Sequence, residues 1–82
     1  SLEASQLHWV SGDPPALPLA CLARIRHRQP LQRCELVVVE GDRCLVRFEQ
    51  KQRAVTPGQS AVFYRDNECL GGGVIERALD EN

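Results

Sequence analysis

Three arginines with a period of two are the residues of this chain best suited to binding an anion. Arg24, Arg26 and Arg28 alternate with other residues in the run LACLARIRHR, and residues 14–34 contain no acidic side chain. On a strand, side chains two residues apart lie on one face, roughly 6.5 to 7 Å from each other. This spacing is comparable to that of phosphates along a nucleic-acid strand. The row therefore predicts an arginine ladder that contacts phosphates without reading sequence.

The same ladder is equally typical of an ordinary solvated strand face. In that alternative the arginines form ion pairs with acids on a neighbouring strand, for which Glu35 or Glu49 could serve. The residues alone leave both interpretations open.

The chain lacks the residue combinations that catalysis or metal binding needs. It has only two histidines, and arginines flank His27, which makes it a poor base beside a cysteine. No Ser-His-Asp, P-loop or paired-acid signature occurs. No catalytic or metal-binding residue is therefore predicted, and the chain is expected to be a binding or supporting module.

Four cysteines occur without a C-x-x-C pair and without a histidine at zinc-finger spacing. Each falls in a predicted strand, where a free cysteine behaves as a small buried apolar residue. Two disulfides or a catalytic thiol are the alternatives. These cysteines are Cys21, Cys34, Cys44 and Cys69.

Length and charge indicate one small domain of near-neutral charge. The chain has 82 residues, a formal charge of −1 and no methionine, so we expect a fragment of a longer protein. No signal peptide, transmembrane run or lipidation motif is visible, which favours the cytoplasm.

Short strands separated by turn signals predict an all-β fold. The predicted strands are Gln6–Val10, Leu19–Arg28, Arg33–Glu40, Arg43–Glu49, Ser60–Arg65 and Glu68–Ile75. Such short strands without a convincing helix predict a small, closed or nearly closed antiparallel barrel.

The run TPGQSAVFYRDNECLGGGVI, residues 56–75, organises the rest. Pro57-Gly58 suits a type II turn, and Asp66-Asn67 suits the corner of a hairpin. Gly71, Gly72 and Gly73 interrupt the returning strand and predict the place where the sheet curls and closes. A phosphate-cradling loop is a weaker alternative, since no helix pattern follows the glycines.

Several motifs closely resemble the C-terminal domain of bacterial tRNA-specific 2-thiouridylases. They are L-H-W-V near the start, R-x-R-Q at residues 26–29, Cys34, R-A-V-T-P-G-Q-S-A-V-F-Y at 53–64 and C-L-G-G-G-V-I at 69–75. The resemblance covers about residues 7–77. It implies a six-stranded β-barrel similar to the second domain of elongation factors, with residues 1–5 as a linker or vector-derived remnant, 6–77 as the barrel and 78–82 as a tail.

The resemblance also implies a function for the parent protein. Members of that family thiolate C2 of the wobble uridine in tRNAs for lysine, glutamate and glutamine. ATP with Mg²⁺ and a persulfide sulfur donor are used by a catalytic domain that is not part of this sequence. A central domain and the barrel help to bind the tRNA. Arg24, Arg26, Arg28 and Gln29 are the predicted nucleic-acid contacts. None of the four cysteines inherits the catalytic role.

Two departures from the family pattern accompany the resemblance. His27 stands where a tyrosine is usual, which puts a stacking contact in doubt, and Gln50-Lys51-Gln52 replaces an acid and a proline. Two rival functions stay open: a purely structural interdomain barrel without RNA contact, and the closing barrel of an aminomethyltransferase-like enzyme.

Overall fold

Six antiparallel strands close into a barrel in the computed structural model, which describes residues 1–26, 28–53 and 55–79. The strands are β1 (Leu2–Trp9), β2 (Leu19–Arg24), β3 (Gln32–Glu40), β4 (Arg43–Phe48), β5 (Ser60–Arg65) and β6 (Glu68–Ala78). Their order around the barrel is β1-β4-β3-β2-β5-β6. The predicted all-β, six-stranded antiparallel barrel is confirmed. No helix long and apolar enough to cross a membrane occurs in the described part of the chain.

Alternation along the strands builds the core. Apolar residues at every second position of β2 and β4 lie inside the barrel, as predicted for Cys21, Ala23, Cys44 and Val46. On β3 the alternation ends after Leu36, because a register shift leaves Val38 exposed. The largest fully buried side chain is Phe63 on β5, and the Trp9 ring stacks near it with a centroid separation of 6.2 Å. The interior is therefore filled by side chains, as expected for a barrel this small.

Both predicted hairpins form. Gly41, with φ of +61°, turns β3 into β4, while Asp66 and Asn67, with φ of +52° and +68°, turn β5 into β6. Positive φ at both central residues is typical of a type I′ turn, whose twist matches the flanking strands. The predicted turn at residues 56–59 also forms, since Gln59 N donates to Thr56 O at 3.2 Å and Gly58 has φ of +92°.

The three consecutive glycines lie where β6 passes between β1 and β5. A Cβ atom on Gly71 would lie 2.1 Å from the His8 carbonyl oxygen, and one on Gly72 would lie 2.5 Å from that of Ala61. Backbone approaches this close exclude any side chain. The prediction that the glycines mark the closure of the sheet is confirmed.

The first strand corrects the predicted start of the barrel. β1 begins at Leu2 and ends at Trp9, and Leu2 and Ala4 have no exposed surface. Residues 2–5 are thus part of the barrel and not a linker, because the apolar side chains of Leu2 and Ala4 complete the core between β4 and β6. At the other end β6 extends to Ala78, and the last three residues of the predicted tail lie outside the described residues.

Candidate nucleic-acid interface

Arg24 is the only predicted contact residue that lies on a strand. It is exposed at the end of β2, where its Nε atom donates to the Gln29 carbonyl oxygen at 3.2 Å. Its guanidinium carbon lies 6.0 Å from the centroid of the Tyr64 ring on the neighbouring strand β5, at the limit of a cation–π contact. Arg24 is therefore held against the barrel wall.

The predicted arginine ladder is wrong beyond Arg24, because the strand ends there. Gln29 N donates to Arg26 O at 3.2 Å, which closes a turn, and Arg28 has φ of +69°, a conformation of turns rather than strands. Ile25 N donates to the side-chain Oε1 of Gln29 at 3.2 Å. In a continuing strand the Ile25 amide would donate to a neighbouring strand. Because it donates to the Gln29 side chain instead, the chain reverses here. Arg26 and Arg28 are both exposed on the turn, and His27 lies outside the described residues.

Gln29 has a structural role that the sequence did not reveal. Its Nε2 atom donates to Oε1 of Gln52 at 2.9 Å, across 23 positions of the chain. Gln52 Nε2 in turn donates to Oε1 of Gln32 at 3.2 Å and to the Gln50 carbonyl oxygen at 2.9 Å. This glutamine network joins the turn after β2 to the loop after β4. A nucleic-acid contact by Gln29 itself stays a prediction.

The network places two positively charged segments side by side. Arg26 and Arg28 precede Gln29 on one segment, and Lys51 and Arg53 flank Gln52 on the other; all four side chains are exposed. We call these four residues the basic end of the barrel. Lys51 and Arg53 were not predicted as contacts, and the departure from the family pattern at residues 50–52 pointed to Lys51 alone.

The ion pairs between described residues include none of the four cations of the basic end. Glu3 on β1 contacts Arg43 at 3.5 Å and Arg77 at 3.1 Å, and Glu35 contacts Arg47 at 3.6 Å. Glu35, one of the two acids considered as a partner for the ladder, thus pairs with an arginine on β4 instead. Within the described ranges, the four cations of the basic end form no ion pair, so their charge is available to a ligand.

The prediction of buried free cysteines is confirmed at three of the four positions. Cys21, Cys34 and Cys44 are buried and Cys69 is exposed, and all are free thiols. The exception arises from a β-bulge: Tyr64 pairs with Cys69 but Phe63 pairs with Gly71, so the extra residue turns Cys69 to the outer face. No group of metal-binding side chains occurs among the residues that the structure describes.

Two buried thiols lie in contact. The Sγ atoms of Cys21 and Cys34 are 3.7 Å apart on the adjacent strands β2 and β3. The hydrogen bond with Cys34 lowers the pKa of Cys21, and Arg65 acts in the same direction against the effect of burial. The pKa of Cys34 is raised by the hydrogen bond with Cys21 and by burial. Burial also raises the pKa of Cys44, to about 11.

Comparison with known proteins matches nearly the whole chain. The family model described as the aminomethyltransferase beta-barrel domain matches residues 1–75, in agreement with a barrel that starts at Leu2.

Curated relatives named tRNA-specific 2-thiouridylase MnmA share half or more of the aligned residues. The identity is 55% over 74 residues for the protein of Nitrosococcus oceani, 51% over 81 residues for that of Marinobacter nauticus and 53% over 74 residues for that of Xanthomonas axonopodis pv. citri. These alignments cover 90%, 99% and 90% of this chain and 20% of each relative, so the chain spans about a fifth of their length. The resemblance drawn from the motifs is confirmed, and the chain belongs to the aminomethyltransferase beta-barrel domain family, in the form that tRNA-specific 2-thiouridylases carry.

Proposed function

We propose that this barrel positions tRNA for an enzyme that thiolates C2 of the wobble uridine. The activity is suggested by the name of the curated relatives, tRNA-specific 2-thiouridylase. The wobble position, the tRNAs for lysine, glutamate and glutamine, the ATP with Mg²⁺ and the persulfide donor come from the motif resemblance. In this proposal the chemistry belongs to other domains of a cytoplasmic parent protein, and the barrel contributes only binding.

The observation that carries the binding role is the hydrogen bond between Gln29 and Gln52, which brings the two halves of the basic end together. Four exposed cations on two adjoining loops form a compact positive surface on a chain whose net charge is −1. Such a local surface attracts a polyanion through phosphate contacts, which position the ligand and carry no sequence information. Arg24 lies at its margin and adds a fifth cation.

The surface suits an irregular backbone better than a straight single strand. The predicted ladder required three guanidinium groups in a row. In the structure, Arg26 and Arg28 instead lie on a turn at which the chain reverses. A folded RNA presents phosphates from different parts of its sequence on one surface, and a cluster of cations fits that arrangement.

The test is the salt dependence of tRNA binding by the full-length protein that contains this chain. Each phosphate contact that is lost should flatten the slope of log K against log salt by roughly 0.7 to 0.9. We expect the double variants Arg26→Ala/Arg28→Ala and Lys51→Ala/Arg53→Ala each to reduce the slope by about 1.5.

A matched control removes two positive charges from the opposite end of the barrel. Arg43 follows the turn between β3 and β4, and Arg65 precedes the turn between β5 and β6, so the variant Arg43→Ala/Arg65→Ala changes the net charge equally. Its slope should stay within experimental error of the unmodified protein. Equal slopes in all three double variants would contradict the proposal. Stability loss with unchanged affinity would favour the structural rival, and folate binding would favour the aminomethyltransferase-like one.

A further inference from the structure

Cys21 and Cys34 occupy directly opposite positions on adjacent antiparallel strands. They are register partners in the β2–β3 pairing, and their Sγ atoms are 3.7 Å apart. Opposite residues of an antiparallel pair have Cα atoms about 4.5 or 5.5 Å apart, depending on whether they exchange hydrogen bonds. Both values lie within the range of about 4.4 to 6.8 Å that a disulfide accepts. The strands therefore hold the two thiols where a bond can form with small side-chain rotations.

A small oxidant can reach this pair from outside. Both cysteines line a surface cavity of about 580 Å³, next to Leu22, Tyr64 and Arg65. Cys21 and Cys34 retain 8% and 6% of their surface exposed, in contrast to the fully covered Ala23, two residues further along β2. An opening this small favours an oxidant of the size of a peroxide over one as large as a protein thiol.

The surroundings make the two sulfurs unequal. The two Sγ atoms share a hydrogen bond, and Arg65 lines the same cavity, where its positive charge favours a thiolate on Cys21. Cys21 is therefore the thiol that attacks an oxidant, and Cys34, whose sulfur lies in contact with it, is the resolving thiol. Burial raises the pKa of Cys44 despite a hydrogen bond with the backbone of Ala4, so this thiol stays inert.

We propose that Cys21 and Cys34 form a peroxide-sensitive pair that is oxidised to a cross-strand disulfide. The Cys21 thiolate sulfur attacks hydrogen peroxide, the O–O bond breaks, and Cys21 becomes a sulfenic acid while one water is released after protonation. The Cys34 sulfur then attacks the Cys21 sulfur, the S–O bond breaks, the S–S bond forms, and a second water leaves with the Cys34 proton. Two thiols and one peroxide thus give one disulfide and two waters.

The crosslink would close a loop that contains the turn of the basic end. Residues 22–33 lie between the two cysteines and include Arg24, Arg26 and Arg28. Oxidation thus ties the base of this turn to the barrel. The inference rests on the contact between the thiols and holds whether or not the basic end binds tRNA.

Trypsin separates the thiols onto different peptides, which allows a direct test. Cys21 lies on the peptide that ends at Arg24, Cys34 on residues 34–43 and Cys44 on residues 44–47. The folded full-length protein is treated with a low molar excess of hydrogen peroxide, free thiols are alkylated in denaturant, and the peptides are analysed by mass spectrometry without reduction. We expect the peptides of Cys21 and Cys34 to be joined, with a mass about 2 Da below their sum, and to separate on reduction.

Single variants complete the experiment. Cys44→Ala and Cys69→Ser should leave the yield of the crosslink unchanged. Cys34→Ala should abolish it and leave a sulfenic acid on Cys21 that a dimedone probe labels, a readout that a purely structural role would not produce. The proposal is overturned if the Cys21 and Cys34 peptides remain fully alkylated after oxidation, or if Cys44 crosslinks to Cys34 as often as Cys21 does.

Discussion

The side-chain amide of Gln29 donates a 2.9 Å hydrogen bond to Oε1 of Gln52 and so joins two loops that are 23 residues apart in the chain. This bond belongs to a network that also includes Gln32 and two backbone carbonyls, those of Pro30 and Gln50. The network fixes the relative positions of the exposed cations on both loops. The arrangement of the charged side chains in the basic end therefore depends on the hydrogen bonds between the glutamine side chains.

Removal of the Gln52 side chain should weaken both the barrel and its binding of RNA. Gln52→Ala removes three hydrogen bonds, and we expect the free energy of unfolding to fall by about 1 to 2 kcal/mol. The affinity of the full-length protein for tRNA should fall by up to about tenfold, since the cations remain but are no longer held together. Urea unfolding and a binding titration measure the two effects.

Gln50→Ala is the matched control for this prediction. Gln50 is exposed and contributes its backbone carbonyl to the network, which the substitution preserves. We expect both measurements to match those of the unmodified protein. A Gln52→Ala variant as stable as the Gln50→Ala variant would show that the network adds nothing.

Gly71→Ala should prevent the barrel from closing. The added methyl group would lie 2.1 Å from the His8 carbonyl oxygen, and neither backbone can yield without opening the β1–β6 pairing. We expect a loss of at least about 3 kcal/mol in the free energy of unfolding. Gly41→Ala, at a turn with φ of +61° and open space around it, should cost only about 1 to 2 kcal/mol.

The fluorescence of Trp9, the single tryptophan, reports unfolding in both glycine variants, since its ring stacks on Phe63 in the closed barrel. Equal costs for the two substitutions would mean that positive φ, and not the close backbone approach, explains Gly71.

Glu3→Gln should reduce stability modestly and in a salt-dependent way. Glu3 on β1 bridges Arg43 on β4 and Arg77 on β6, and its side chain is only 26% exposed. We expect a loss of about 1 kcal/mol at low ionic strength that disappears in molar salt. The comparison is Glu35→Gln, which removes the more exposed pair with Arg47 and should change stability by much less. Thermal or urea unfolding at two salt concentrations measures the difference.

The stability of the barrel should fall between pH 9 and pH 11 in part because of Cys44. Burial raises the pKa of this thiol from 9.0 to about 11. The unfolded chain therefore loses the proton first, and the stabilisation, complete below pH 9, is lost as the pH rises to the folded pKa. Cys44→Ala should make the decline shallower, although Cys34, whose pKa is also raised, continues to contribute.

The exposed Cys69 provides the control for the pH experiment. Cys69→Ala should leave the decline of stability with pH as steep as in the unmodified chain. If Cys44→Ala also leaves the decline of stability with pH unchanged, burial of Cys44 does not raise the pKa of its thiol.

The strands and hairpins follow from local features that the sequence displays. Short runs of β-forming residues mark β2 to β6, and positive-φ residues at Gly41 and at Asp66-Asn67 mark the reversals. These features involve only two to four neighbouring residues, so they can be predicted from the sequence. The glycine run could also be interpreted from the sequence, because glycines weaken a strand unless a bulge, a bend or a close backbone approach requires them.

Tertiary contacts decided the site. The pattern of Arg24, Arg26 and Arg28 fits a continuing strand, but Gln29 takes the amide of Ile25 and its partner Gln52 comes from another loop, so the chain turns. The bulge that exposes Cys69 and the register that brings Cys21 against Cys34 are likewise set by neighbouring strands. A periodic pattern predicts which face of a strand each side chain occupies, provided that the strand continues. Whether the strand continues depends on hydrogen-bond partners that are distant in the chain.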